Sequence, residues 1–160
     1  MGQAPNLCLE GEILAATRAL GIGITAYGVL SRGLISGHWR KDASVAPTDF
    51  RAHSPRFQGE NAERNLALVE ALVEALREVA EARGASVAQV AIAWVAAQGD
   101  DIIPLVGARR RDRLAEALGA LDLTLSAADL AAIERAVPKD AAAGSRYPAM
   151  AMAQLDSEKR

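Results

Sequence analysis

The chain has 160 residues and a mass of 16.8 kDa, the size of one ordinary domain. Hydrophobic residues make up 51% and charged residues 24%, a mixture that excludes a natively disordered chain. The net charge of −2 and pI near 5.7 supply no electrostatic basis for nucleic acid or an anionic membrane as partner. No apolar run approaches the ~18 residues that a membrane span requires, and no secretory signal opens the chain. Met1-Gly2 is not followed by the Ser or Thr that myristoylation favours, since position six is Asn6. The one cysteine, Cys8, has no disulfide partner and no metal-ligand neighbours. A cytoplasmic location is the expectation.

In chain order, Ile13, Leu14, Thr17 and Leu20 recur at helical spacing and predict a short helix over 10–20, stopped by Gly21. The β-branched run 22–27 predicts a buried strand. Residues 28–60 show no sustained period and carry scattered Gly, Pro, Ser and His with Trp39, Phe50 and Phe57. So long a loop in a compact domain is expected to be a lid or cofactor loop. A long helix over 61–83 follows, its apolar stripe Leu66, Val69, Leu72, Val73, Leu76, Val79 and Ala80 running to Gly84.

Ser86-Val87-Ala88-Gln89 has the form of a capping box and opens a helix expected to bury Val87, Val90, Ala91, Trp94 and Val95. The run 102–106 predicts a second strand, irregular at Pro104. A helix over 110–121 and another capped by Ser126 and ending before Pro138 complete the pattern. Residues 139–160 read as a docking tail with little structure of its own. Strands alternating with helices predict a parallel α/β fold. Two strands alone do not make a covered parallel sheet, so further strands are expected to belong with these.

Gly21-Ile22-Gly23-Ile24-Thr25-Ala26-Tyr27-Gly28-Val29-Leu30-Ser31-Arg32-Gly33 resembles the seventh strand and following loop of the aldo-keto reductases. Arg56-Phe57-Gln58-Gly59-Glu60-Asn61, Asn65 and the helix from Val87 to Gln98 continue the likeness. Ile103-Pro104-Leu105-Val106-Gly107-Ala108-Arg109-Arg110 through Arg113-Leu114-Ala115-Glu116 resembles the eighth strand and its helix, and Ala143-Gly144-Ser145-Arg146-Tyr147-Pro148 fits the tail. The resemblance runs from about Glu12 to Tyr147, its blocks in order at matching separations. It implies a partial (β/α)8 TIM barrel, residues 1–160 holding the last helix of unit six plus units seven and eight. Residues 1–11 do not match a sixth strand, and the break is expected near that point.

The resemblance also implies NADPH as cofactor. Read alone, Tyr27 is a strand-end tyrosine with a packed ring and a wet hydroxyl; the resemblance implies that it stacks on the nicotinamide. Gly28, Val29, Leu30, Ser31, Arg32 and Gly33 would wrap the pyrophosphate, glycines permitting close backbone approach, although most such loops are merely turns. Gly107, Ala108, Arg109 and Arg113 would hold the adenosine 2′-phosphate side, with Arg113 on the phosphate itself and Glu116 on the adenine amino group. Arg109, Arg110, Arg111 and Arg113 crowd a helix start already favourable to anions, and a phosphate would relieve their repulsion. Without the resemblance, a solvated arginine face explains the same cluster. Two departures weaken the expected affinity: Ala108 stands where Ser or Thr is usual, and Ala117 where Asn is usual.

Reduction in this family uses a tyrosine acid, a lysine, an aspartate and a histidine, all on earlier strands, and no residue here replaces them. His38 and His53 read as exposed loop residues with no ligand partner at metal spacing, and Lys41 as a pocket-lining residue at most. No dinucleotide, Walker, nucleophile-elbow or zincin motif is present. Three readings follow. The chain is a piece of an NADPH-dependent reductase acting on an aldehyde or ketone, itself without catalytic residues. Alternatively it is a non-catalytic half-barrel completed by another polypeptide, or an NADPH-binding module. Exposed strand edges would favour self-association or a complementing N-terminal half.

Overall fold

The computed structural model describes residues 12–37, 53–138, 141–145 and 147–153. Cys8, His38, Trp39, Lys41 and Phe50 therefore lie outside the described residues, as do residues 1–11. Among the described residues the chain forms a parallel two-stranded sheet backed by helices. Helix α1 spans Glu12–Ala19 and leads into strand β1, Ile24–Ala26. Helix α2, Gly59–Arg83, and helix α3, Val87–Ala96, carry the chain back to strand β2, Ile102–Pro104. Helix α4, Arg111–Leu118, helix α5, Ala127–Ala136, and a four-residue helix α6, Ala149–Met152, complete the order.

The strands pair with Ile24 opposite Ile102, Thr25 opposite Ile103 and Ala26 opposite Pro104. The Leu105 amide donates to the Ala26 carbonyl at 2.8 Å, and the Ile24 amide to the Asp101 carbonyl at 2.7 Å. Amides alternate sides along a strand, so the N–H that Pro104 lacks would have pointed away from β1. That is why proline is tolerated inside this ladder. Both strands are shorter than their sequence runs predict, three residues each instead of 22–27 and 102–106. On the leading side, the Ile22 amide is taken by the Thr17 carbonyl at the end of α1.

Helix α3 is the centre of the molecule. Seven of its ten residues are buried: Ala88, Val90, Ala91, Ile92, Ala93, Trp94 and Val95. One side joins Leu34, Ile35, Val69, Leu72, Leu76, Val79, Ala80 and Ile133 in the helical core. The other meets Ala26, Val29 and Ala120 beneath the strands, through Ile92 and Val95. A helix apolar all round is a helix covered all round. The single face read from the sequence therefore understated its burial, and Val87, expected inside, is only half-buried.

Local signals account for the helix ends. Ser86 and Gln89 exchange side-chain and backbone hydrogen bonds, Oε1 accepting from the Ser86 amide at 2.8 Å. Ser126 and Asp129 do the same at the start of α5. Gly84 ends α2 in the left-handed region at φ 63°, and Ala85 closes the turn onto the Ala80 carbonyl. Helix α4 stops at Leu118, short of the predicted 121, and continues as a 3-10 turn over Gly119–Asp122. Glycine weakens the α-helix at 119, and the tighter turn brings Ala120 into the core.

The tail is more structured than its sequence suggests. Asn65, 6% exposed, receives the Ala143 amide on Oδ1 at 2.8 Å and donates to the Ala143 and Arg56 carbonyls at 2.8 and 2.9 Å. Arg56 Nε adds a bond to the Gly144 carbonyl at 3.0 Å. One buried amide side chain thus fastens the tail to the turn Pro55–Phe57 and the start of α2.

Candidate functional site

Because Ala26 and Pro104 are paired, the segments that leave β1 and β2 start side by side at the carboxyl ends of the strands. In open and barrel α/β folds this is the edge that carries ligand sites. Tyr27 is the first residue past β1 and is 48% exposed. The loop after it turns sharply. Gly28 and Gly33 adopt φ of 73° and 89°, and Ser31 sits at φ 47°, a left-handed conformation that strains a residue with a Cβ. The Ser31 amide bonds the Gly28 carbonyl at 2.7 Å and the Gly33 amide bonds the Leu30 carbonyl at 2.8 Å.

Val29 is buried against the strand-side core and Leu30 packs between both cores. Their side chains are anchors, and only their backbones are left for a ligand. Ser31 is 4% exposed, and its hydroxyl has no hydrogen-bond partner among the described residues. A buried hydroxyl without a partner costs about 1–3 kcal/mol. The strain and the orphaned hydroxyl coincide in one residue of one loop. The Arg32 side chain lies outside what is described.

Past β2, Gly107, Ala108 and Arg109 form an exposed stretch that runs into α4. The arginine crowding expected there is corrected by the acids between and behind the cations. Arg110 forks onto Asp112, Nε to Oδ1 at 3.0 Å and NH2 to Oδ2 at 2.7 Å. That hydrogen bonding holds the Asp112 carboxyl below the usual carboxylate range. Arg113 NH1 donates to Glu116 Oε2 at 2.7 Å. The two residues assigned to phosphate and adenine are thus brought together as an ion pair one helical turn apart. Arg109 and Arg111 make no ion pair among the described residues. Asp112 was missed in the sequence, although its place two residues after Arg110 was a visible signal.

Other expectations fall outside the site. Phe57, at the end of the loop expected to be a lid or cofactor loop, packs against the helical core. His53 is exposed, and no group of three or more metal-ligating side chains occurs among the described residues. Among the same residues no helix is long and apolar enough to cross a membrane.

The sequence model of the aldo/keto reductase family matches residues 7–138. The chain belongs to that family. The match begins before Glu12, further forward than the quoted blocks. A probable aldo-keto reductase from Glycine max is 38% identical over 139 residues, covering 87% of this chain and 39% of the relative. The aldo-keto reductase yakc of Schizosaccharomyces pombe, named for NADP(+), is 36% identical and is covered over 40% of its length. A solved glycerol dehydrogenase from Gluconobacter oxydans superposes with a TM-score of 0.71 at 30% identity, covering 82% of this chain and 38% of its own. The chain therefore spans about two fifths of the length of these relatives, and its α/β arrangement is of their barrel type.

Proposed function

We propose that these residues are the cofactor-holding part of an NADPH-dependent aldo-keto reductase that reduces an aldehyde or ketone to an alcohol. On this reading the chain supplies the last helix of unit six plus units seven and eight of a (β/α)8 barrel. The aspartate, tyrosine, lysine and histidine of the reaction come from other units, so residues 1–160 alone do not catalyse. The observation that carries the reading is the shared edge of β1 and β2. It sets a glycine loop with a strained, orphaned Ser31 beside a loop that leads into four arginines.

The residues suit the group. Gly28, Ser31 and Gly33 offer a close-approach backbone and a buried hydroxyl that lacks a partner. Arg109, Arg110, Arg111 and Arg113 stand against Asp112 and Glu116 and leave two net positive charges. A phosphate monoester carries about −1.5 to −2 at pH 7, so that excess matches a 2′-phosphate. When bound, the dihydronicotinamide supplies hydride to the carbonyl carbon. The chain's own part is to hold and orient: Tyr27 packs its ring along the nicotinamide, and the loop 28–33 grips the pyrophosphate. Arg113 forks onto the 2′-phosphate, as guanidinium geometry favours, and Glu116 accepts from the adenine amino group. The name of the fission-yeast relative, which carries NADP(+), supports the same choice.

The test is selective loss. In the full-length protein, Arg113→Ala is expected to weaken NADPH by about 10–100-fold, the range of a charge-assisted bidentate pair. NADH should change by no more than about twofold. Equal losses for both cofactors contradict the 2′-phosphate role.

A further inference from the structure

Resting on that reading, we infer that Glu116 sets the cofactor preference of this site by competing with the 2′-phosphate for the Arg113 guanidinium. Of the pair's side chains, Glu116 is the more enclosed, 22% exposed against 44% for Arg113. A guanidinium has five N–H donors. Arg113 can turn part of its fork to a phosphate while NH1 stays on Glu116, or it can leave Glu116 altogether. In the first case a carboxylate and a phosphate dianion share one cation and repel. In the second an ion pair is broken. Either way the cost falls on the phosphorylated cofactor alone, because NADH places no charge there.

Arg110 is paired with Asp112. Ala108 presents no hydroxyl to share the phosphate. With two acids set against four arginines, removing one acid raises the net charge of residues 109–116 from two to three. A glutamine at 116 keeps an oxygen that can accept from Arg113 or from adenine, and it removes only the charge. The pair therefore acts as a brake on affinity for NADPH, and Glu116→Gln releases it.

The test uses the full-length protein, with affinities for NADPH and NADH read by calorimetry or cofactor fluorescence. Adenosine 2′,5′-bisphosphate and 5′-AMP serve as probes that need no chemistry. Glu116→Gln is expected to tighten NADPH and the bisphosphate roughly three- to tenfold, as for a unit charge removed a few ångströms away in a solvent-exposed site. The deciding quantity is the ratio of NADPH to NADH affinity, and of bisphosphate to 5′-AMP affinity, since any change at the adenine contact is common to both members of each pair. An unaltered melting temperature shows that the variant is folded. The gain should shrink in high salt and vanish on an Arg113→Gln background, as a double-mutant cycle requires. An unchanged or reduced preference for NADPH in Glu116→Gln overturns the inference and leaves the Arg113 reading standing. If the unaltered protein binds both cofactors equally, or neither, the Arg113 reading falls and takes this inference with it.

Discussion

At the residue scale, the candidate cofactor residues rest on residue type and on the shared edge of β1 and β2. Tyr27, Gly28, Gly33 and Arg113 were legible as candidates because strand ends, glycines and arginines are visible by type. The Arg113–Glu116 pair joins two residues that were each assigned to a ligand. Asn65 was legible only as a match within a resemblance. Its three partners lie nine and 78 residues away, and no local pattern announces such a contact. Removing that side chain leaves the Ala143 amide and the Ala143 and Arg56 carbonyls without their partner. Asn65→Ala is therefore expected to cost about 2–3 kcal/mol in urea unfolding and to speed hydrogen exchange at the Ala143 amide. Asn65→Asp keeps the acceptor but loses both donated bonds, so its loss should be similar. Unchanged stability and exchange in both variants would show that the tail is held elsewhere.

At the element scale, helix starts were read well because a capping box is written in four consecutive residues. Ser86 with Gln89 and Ser126 with Asp129 both form as their spacing predicts. The lengths of β1 and β2 were read less well, since apolar character continues past the last paired residue. Asp129 has a second task that its spacing does not reveal: it receives Arg83 and so ties α5 to the end of α2. Hydrogen bonds from the Ser126 side chain and amide, then from Arg83, hold its carboxyl below the usual range. A depressed carboxyl pKa stabilises the fold above the unfolded value of about 3.9, and that contribution is lost as pH falls through the folded value. Asp101, held down mainly by its hydrogen bond from Arg18, adds a term of the same sign. Stability is therefore expected to decline below about pH 4, and Asp129→Asn should flatten that decline while lowering stability at pH 7. A decline of equal steepness in the variant would assign the acid sensitivity to other groups.

At the scale of the whole molecule, the core of the described residues lies on one side of the sheet, and the paired Thr25 and Ile103 on the other side are exposed among those residues. Ile22, Ile103 and Leu105 are exposed along the strands. Leu114, Leu118 and Leu121 form an exposed stripe at i, i+4 and i+7 along α4 and its 3-10 extension. The sequence signalled this by having too few strands for a parallel fold. It did not signal that the edges would be short, or that the outer edge of β2 is blunted by Pro104, with the Ile102 amide already taken by the Gly99 carbonyl. Apolar contact, more than strand pairing, is thus the expected route of association for a polypeptide of residues 1–160. Sedimentation velocity should show mass increasing with concentration, with dye binding to apolar surface. A clean monomer with a sharp, concentration-independent thermal transition would contradict it.

The edge shared by β1 and β2 is proposed to hold a phosphorylated nicotinamide cofactor. The most direct test is a titration of the unaltered full-length protein with NADPH and, separately, NADH. Saturable binding of both is expected, with NADPH at least about tenfold tighter, the worth of ~1.4 kcal/mol from one charge-assisted contact. Equal affinities, or no binding of either, would contradict it.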